Sequence, residues 1–260
     1  MKTILLKNSI GEVVSLRYAN LSEITPKLTE LRITVGIDAI IGDGANIGRY
    51  VIIGDGANIG YEANIGYGAN IGIGASIGYG ANIGDRANIG YEANIGYHAN
   101  IGNGVSIGYE ASIGYDASIG NGVSIGYGAN IGYGANIGDR ANIGYEANIG
   151  DRANIGDRAN IGYEANIGYE ASIGDRANIG YGAIIGPGVR LRRSLYITGS
   201  RHALTYTGNA TVSIGCCNLT LQEWKNQGKA VAEAQGYTPD QIIEYRQYLH
   251  IARIFAGNDK

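Results

Sequence analysis

The sequence has few cysteines, few aromatic residues other than tyrosine, and no long apolar run. Its two cysteines, Cys216 and Cys217, are adjacent, a spacing that suits neither a disulfide framework nor a metal site, so we expect reduced thiols. No apolar stretch approaches the roughly eighteen residues of a membrane span, and the N-terminus lacks the apolar core and cleavage site of a signal peptide. These absences predict a cytoplasmic protein, and a phage structural protein would fit the same features.

A dominant charge is also missing. The 20 basic and 23 acidic side chains leave a net charge of −3, which provides no positive field for phosphate backbones, so neither a nucleic-acid nor a membrane partner is expected. The combination of 44 glycines with one Phe and one Met is typical of disordered chains. A strict repeat in the sequence argues against disorder.

The repeat is a hexad that runs from Ile41 to Gly186. The pair Ile-Gly recurs every six residues, twenty-five times in succession, without an insertion. The hexad has the form Ile-Gly-x-x-Ala-Asn, with Val in place of Ala at Val105 and Val123, and only the third and fourth places vary freely. A fixed period of this kind is typical of a solenoid, in which each repeat buries its apolar face only by stacking on its neighbours.

The period excludes an amphipathic helix, because residues six apart do not stay on one helical face. Short strands separated by corners fit instead. We expect the isoleucines and the small Ala or Val to point inward, Gly and Asn to lie on the flat outer faces, and the two variable residues to form the corners.

These repeats resemble those of the left-handed parallel β-helix, the hexapeptide-repeat family that includes many bacterial acyltransferases. The resemblance covers roughly residues 35–197. It implies a triangular, left-handed coil of eighteen residues, hence a little over eight coils and a height of about 40 Å at about 4.8 Å per coil. The predicted fold is therefore an all-β solenoid with a small α+β C-terminal cap.

The two ends of the chain do not follow the repeat. Residues 1–34 contain two apolar stretches, 3–6 and 13–16, separated by residues 8–11, and predict a hairpin or two short strands that cap the first coil. Residues 198–260 predict strands at 203–206 and 211–214, then two helices that begin at Thr220 and Thr238. This tail resembles C-terminal segments of bacterial and phage-encoded proteins of unknown function.

The two C-terminal helices carry apolar residues at helical spacing, which we expect to pack together rather than to bind a ligand. These residues are Trp224, Val231, Ile242, Tyr245, Leu249 and Ala252.

Alignment of the array at eighteen residues sorts the corners into three columns. The long tyrosine ladder is Tyr91, Tyr109, Tyr127, Tyr145, Tyr163 and Tyr181. The second tyrosine ladder is Tyr61, Tyr79, Tyr97, Tyr115, Tyr133 and Tyr169, interrupted by Asp151. The third column is polar and contains Asp85, Asn103, Asn121, Asp139, Asp157 and Asp175. An arginine directly follows each aspartate of this column, and we call these four residues the arginine edge: Arg86, Arg140, Arg158 and Arg176.

The columns have a structural and a functional interpretation. Identical side chains stacked at the strand spacing stabilise one another, and Asp beside Arg offsets repulsion between like charges. Exposed tyrosines also suit protein interfaces and sugar rings, so a protein or carbohydrate partner is a further hypothesis, as is one at the C-terminal region. Glu92, Glu110, Glu146 and Glu164 lie beside the long tyrosine ladder in two stacked pairs, too few oxygens for calcium, and no metal site is expected.

The resemblance implies a specific catalytic alternative. Acyltransferases of the family use a histidine as general base, and His98 is the histidine within the perfect repeats; Asp116, eighteen residues later, is expected to stack beside it and orient the imidazole. The acyl donor would then be a coenzyme A thioester. The same corner position holds Gly, Glu, Arg or Asp in other repeats, and no loop leaves the coils between Ile41 and Gly186, where the family's enzymes usually build their active site.

The sequence therefore favours a non-catalytic rigid scaffold that binds or assembles without a cofactor, with acyl transfer as the alternative. An ice-binding face is disfavoured, because the outward rows carry Asn, Ser and Gly instead of threonine. The family resemblance also implies a homotrimer, which we expect to form by contact of the arginine edge with the long tyrosine ladder and its glutamates; a monomer is the competing expectation.

Overall fold

A computed structural model describes residues 2–7, 13–192 and 194–257. Within them the repeats form a left-handed parallel β-helix of triangular section, in which three hexads complete one coil. The predicted fold class is confirmed. The solenoid has about nine coils instead of a little over eight, because imperfect hexads before Ile41 and after Gly186 also contribute strands.

Three parallel sheets form the faces of the solenoid. The first face contains Ala45–Ile47, Asn64–Ile65, Asn82–Ile83, Asn100–Ile101, Ser118–Ile119, Asn136–Ile137, Asn154–Ile155, Ser172–Ile173 and Arg190–Leu191. The second face contains Thr34–Val35, Ile52–Ile53, Asn70–Ile71, Asn88–Ile89, Ser106–Ile107, Ser124–Ile125, Asn142–Ile143, Asn160–Ile161 and Asn178–Ile179. The third face contains Ile40–Ile41, Asn58–Ile59, Ser76–Ile77, Asn94–Ile95, Ser112–Ile113, Asn130–Ile131, Asn148–Ile149, Asn166–Ile167 and Ile184–Ile185.

Each place in the hexad has one physical role. The isoleucine and the preceding Ala or Val fill the interior, as Ile107 and Val105 show with 1% exposure each. The glycine after the isoleucine lies against the backbone of the next coil: a Cβ on Gly108 would come within 2.6 Å of the carbonyl carbon of Gly126. The fourth place has a positive φ, 64° at Gly104 and 54° at His98, and this left-handed residue turns the chain onto the next face.

The N-terminal residues close the first coil. Strand Lys2–Lys7 pairs in parallel with Ala45–Ile47 and antiparallel with Val13–Tyr18, which gives the predicted pair of strands; residues 8–11 between them lie outside the described part of the chain. A 3-10 helix, Leu21–Ile24, and helix α1, Thr25–Glu30, follow. Their buried side chains cover the end of the isoleucine core, together with those of the segment that leads into the first coil: Ile24, Leu28, Leu31 and Ile33.

A four-stranded antiparallel sheet covers the other end. Its strands are Tyr196–Thr198, Ala203–Gly208, Thr211–Ile214 and Cys217–Thr220. The first and last of these were not predicted, and Ile197, placed in the solenoid by the sequence, pairs with Leu204 in this sheet. After Leu191 the chain has lost the Ile-Gly pair, so no further coil can stack closely. The Thr205 hydroxyl accepts a hydrogen bond of 3.1 Å from the Gly180 N–H and ties the sheet to the last coils.

Two helices complete the chain, α2 from Leu221–Ala234 and α3 from Pro239–Gly257. The Thr220 hydroxyl accepts a hydrogen bond from the Glu223 N–H, the start that the sequence predicts for α2. The predicted packing residues Trp224, Tyr245, Leu249 and Ala252 are buried, whereas Val231 and Ile242 are half-buried. No helix among the described residues combines the length and apolarity that crossing a bilayer requires.

Candidate functional site

The long tyrosine ladder forms the corner between the second and third faces. Its rings are 40% to 61% exposed, at Tyr127 and Tyr109 respectively. Ring contacts in tilted or edge-to-face geometry join three of the neighbouring pairs, with centroids 6.1 Å apart for Tyr91 and Tyr109, 6.3 Å for Tyr127 and Tyr145, and 4.9 Å for Tyr145 and Tyr163. The ladder is therefore a column of exposed tyrosines in which some neighbouring rings are in contact.

Glutamates beside this ladder interact with its hydroxyls. The Tyr127 hydroxyl donates a hydrogen bond of 3.0 Å to Glu110, and the Tyr181 hydroxyl donates one of 2.9 Å to Glu164. Each bond favours the protonated phenol and so raises the pKa of Tyr127 and of Tyr181 above the usual tyrosine value. The carboxylates stay exposed, so the aromatic corner carries a row of accessible negative charges.

The second tyrosine ladder, at the corner between the third and first faces, contains His98. The imidazole lies edge-on between two rings, with centroids 5.2 Å from Tyr79 and 5.8 Å from Tyr115. It occupies the space left free by Gly80, where a Cβ would lie 2.7 Å from Nδ1 of His98. His98 thus leans toward the preceding coil.

Asp116 lies one coil beyond His98, as the sequence places it. Its backbone N–H donates a hydrogen bond of 3.0 Å to the Tyr97 carbonyl, which stacks the two corners. No hydrogen bond or ion pair joins the side chains of Asp116 and His98 in the part of the chain that the structure describes. The two predicted catalytic residues are therefore neighbours, with the imidazole turned toward Tyr79.

The third corner, between the first and second faces, is held by a ladder of hydrogen bonds that the sequence analysis missed. Each Asp or Asn at this corner accepts a bond through Oδ1 from the backbone N–H eighteen residues earlier, as Asn121 does from Asn103 at 2.8 Å and Asp139 from Asn121 at 2.7 Å. The recurrence of Asp or Asn every eighteen residues was the available signal. We interpreted these aspartates as partners for arginine, but their carboxylates bond the backbone.

The arginine edge is consequently unpaired. Ion pairs in the described residues join Lys27 to Glu30, Lys229 to Glu233 and Arg152 to Glu170, and none involves Arg86, Arg140, Arg158 or Arg176. Together with their aspartates, the last three arginines line a shallow surface groove of about 710 Å³. Guanidinium groups without a carboxylate partner are free to bind a carboxylate or an aromatic face of another molecule.

The three corners provide surfaces for binding and one exposed imidazole for proton transfer. In the described residues no group of three or more His, Cys, Asp or Glu side chains is close enough together to hold a metal ion. Cys216 and Cys217 are both free thiols, as predicted. The corners therefore offer repeated weak contacts along the axis of the solenoid.

Comparison with known proteins finds similarity in solved structures alone. Neither a protein-family model nor a curated protein sequence matches the chain, and the resemblance of the C-terminal tail stays a prediction. The chain is similar to an LpxA, a UDP-N-acetylglucosamine acyltransferase, from Bacteroides fragilis, with 23% identity over 56% of this chain and 66% of that one and a TM-score of 0.42.

Two further solved structures are similar at lower identity. The Arabidopsis UDP-N-acetylglucosamine acyltransferase is 16% identical over 80% of this chain and 75% of that one, with a TM-score of 0.36. A variant of GDP-perosamine N-acetyl transferase from Caulobacter crescentus, in complex with CoA and GDP-perosamine, is 15% identical over 60% of this chain and 52% of that one, with a TM-score of 0.29. The chain thus spans less than two thirds of the length of some of these structures, and at such identities the likeness is one of hexapeptide-repeat coil architecture.

Proposed function

We propose that this protein is a non-catalytic, rigid β-solenoid scaffold that binds and assembles through its corners. The observation that carries the proposal is the coexistence, along one prism, of an exposed aromatic column with glutamates and a column of arginines without ion-pair partners. The tyrosines recur on every coil, whereas the arginine edge is interrupted at Gly104 and Gly122 and the glutamates at Gly128. A contact made at one level is therefore available again at other levels, and weak contacts add along the axis.

The partner that best matches both columns is a second copy of the chain, in a trimer with parallel axes. A three-fold rotation about an axis parallel to the solenoid involves no translation along that axis, so each residue of one copy faces residues at the same axial position in the next copy. Glu92, Glu146 and Glu164 each follow an arginine of the edge by six residues. Six residues make up one face of a coil, so each glutamate lies about 1.6 Å further along the axis than its arginine. Arg86, Arg140 and Arg158 are therefore level with glutamates of the neighbouring copy.

The strength of such an interface comes from repetition. An exposed ion pair contributes about 0.2–1 kcal/mol, so three pairs alone hold copies together weakly. Guanidinium groups over exposed tyrosine rings add about 0.5–1 kcal/mol each. A protein or carbohydrate partner on the tyrosine ladders belongs to the same proposal, because exposed phenol rings suit both.

Sedimentation of the wild type and of the combined variant Arg140→Glu, Arg158→Glu, Arg176→Glu tests the assembly. We expect a trimer for the wild type and a monomer for the variant, and we expect association to return when Glu146→Arg and Glu164→Arg are added. The matched control reverses three exposed charges away from this corner, Arg17, Lys225 and Arg253, and should stay trimeric. A monomeric wild type rejects assembly, and a trimer that survives the first variant rejects this interface.

The second candidate is an acyltransferase that uses an acyl-coenzyme A thioester, with His98 as general base and Asp116 as its positioning residue. It is favoured by the exposed imidazole at an open corner, and the similar solved structures are sugar acyltransferases. In this scheme His98 takes the proton from an acceptor hydroxyl or amine, the acceptor forms a bond to the acyl carbon, and the thiolate of coenzyme A leaves and is protonated.

Thiol release from acetyl-coenzyme A and longer acyl thioesters, with and without UDP-sugar acceptors, separates the two candidates. Acyl transfer predicts acceptor-dependent release that disappears in His98→Ala and weakens in Asp116→Asn. His250→Ala, an exposed histidine on α3, is the matched control and should retain activity. Release that is absent, or that survives in His98→Ala, excludes this candidate and leaves the scaffold.

A further inference from the structure

A cleft between α2 and α3 belongs to neither the solenoid nor its corners. Its volume is about 620 Å³, within the range of about 300–1,000 Å³ common to small-molecule sites. The predicted packing residues of the two helices do contact one another, but they do not fill this space. Its apolar lining includes Trp224, Val231, Ala232 and Ile242.

The charged residues that line the cleft have one sign. Lys225, Lys229, Arg246 and Arg253 lie around it together with His250, and no Asp or Glu is among its lining residues. Lys229 forms an ion pair of 3.5 Å with Glu233; the other three cations have no ion-pair partner in the described part of the chain. A chain with a net charge of −3 therefore gathers unpaired positive charge around a cleft whose lining is partly apolar.

Local contacts fix the position of the indole ring of Trp224 in the lining of the cleft. Trp224 donates a hydrogen bond of 2.9 Å from Nε1 to the Val212 carbonyl, which fixes the orientation of the ring. Gly228, one turn later in α2, lies close to the ring, because a Cβ there would be 3.1 Å from Cε3 of Trp224. A glycine inside a helix is unfavourable relative to alanine, and here it avoids a close contact with the indole ring.

We propose that this cleft binds a small amphipathic anion, with an unbranched alkyl body over Trp224, Val231 and Ile242 and a carboxylate-type headgroup held by Lys225, Arg246 and Arg253. The alkyl body removes apolar lining from water, and the headgroup neutralises cations that have no carboxylate within the protein. A neutral or cationic ligand of equal length would bury the same apolar surface but leave those charges unmatched. Charge complementarity thus selects the anion.

Trp224 is the one tryptophan of the chain, so its fluorescence reports occupancy of the cleft. Decanoate is the probe. Acetate is a control anion without the alkyl chain, and decyltrimethylammonium is a control that has the alkyl chain but a positive charge. We expect a saturable change in tryptophan emission with decanoate, weakened by added salt, and none with the other two at the same concentrations. Isothermal calorimetry with decanoate checks the same affinity without fluorescence.

Two triple variants with the same net charge, one in the cleft and one outside it, test whether decanoate binds in the cleft. Lys225→Gln, Arg246→Gln, Arg253→Gln should weaken decanoate binding by about tenfold or more, whereas Arg17→Gln, Arg190→Gln, Arg192→Gln should bind as the wild type does. Ala232→Leu should weaken binding of decanoate by occupying part of the cleft. Circular dichroism of each variant confirms that α2 and α3 are retained.

Four results would overturn the proposal: no saturable signal with decanoate, equal binding of decyltrimethylammonium, equal affinity of the two charge variants, or an acidic peptide that binds the helices and is not displaced by decanoate. The last of these would assign the surface to a protein partner.

Discussion

The close approach of successive coils at Gly108 predicts that two chemically identical substitutions four residues apart differ sharply. A Cβ on Gly108 would lie 2.6 Å from the carbonyl carbon of Gly126 and 2.6 Å from the nitrogen of Tyr127, both backbone atoms. A Cβ on Gly104 would meet nothing within 4 Å, although its φ of 64° is unfavourable for alanine. Gly104→Ala therefore measures backbone strain alone, and Gly108→Ala measures the contact between coils.

The magnitudes follow from these distances. Ordinary carbon contacts are about 3.5–4.0 Å, so Gly108→Ala forces the coils apart by about 1 Å and lengthens the 2.8 Å bond between Gly108 N–H and the Ile125 carbonyl. Overpacking costs about 1–3 kcal/mol and the weakened hydrogen bond about 1 kcal/mol. Alanine at a left-handed position costs about 1–2 kcal/mol. Both variants regain about 0.5–1 kcal/mol through the lower entropy of the unfolded chain.

We therefore expect Gly108→Ala to lower the free energy of unfolding by about 2–3 kcal/mol and Gly104→Ala by about 0.5–1 kcal/mol. Urea unfolding followed by circular dichroism measures both, and the slope of each transition shows whether the array still unfolds as one unit. Equal shifts for the two variants, or a larger shift for Gly104→Ala, would refute the role assigned to the glycine that follows each isoleucine.

Three other predictions concern the core, the corner ladder and the C-terminal helices. Ile107→Asp should unfold the solenoid, because an unpaired buried carboxylate costs several kcal/mol, whereas Ser106→Asp on the exposed face should not; a soluble Ile107→Asp protein with unchanged melting would contradict the assignment. Asn121→Ala should cost about 1 kcal/mol in urea unfolding, since it removes the acceptor for the Asn103 N–H, while Asn121→Asp should cost little, as Asp139 fills the equivalent place. Burial raises the pKa of Tyr237 to about 12, so the stability that its neutral phenol contributes should be full below about pH 10 and lost as the pH rises through 12; the tyrosinate absorbance of the wild type minus that of Tyr237→Phe should show one late-titrating group.

The coil could be predicted from the sequence because each hexad repeats the same physical problem. Ile107 and the other isoleucines recur at a spacing that only a strand and a corner satisfy, and their burial follows directly. The starts of α2 and α3 could also be predicted, since the caps at Thr220 and Thr238 are local interactions over three residues. Periodic spacing and helix caps can be recognised from residues close together in the sequence.

Features that depend on contacts between residues far apart in the chain could not be predicted from the sequence. Tyr196–Thr198 becomes a strand because Ala203–Gly208 pairs with it, a long-range choice that composition does not encode. His98 turns toward Tyr79 because Gly80 leaves space on that side, whereas spacing alone pointed to Asp116. The cleft depends on the relative placement of two helices, and a list of apolar positions cannot distinguish a filled interface from an open one.

Because each coil has eighteen residues without interruption, the number of hexads sets both the distance and the rotation between the two ends of the solenoid. Deletion of eighteen interior residues, such as 88–105, would bring the C-terminal cleft about 4.8 Å closer to the N-terminal hairpin without turning it. Deletion of six would turn it by about 120° around the axis with a shift of about 1.6 Å, because the next hexad continues on the adjacent face. Whole hexads can therefore be removed or added to change the distance and the direction of the terminal cleft in discrete steps, without any change at either end of the chain.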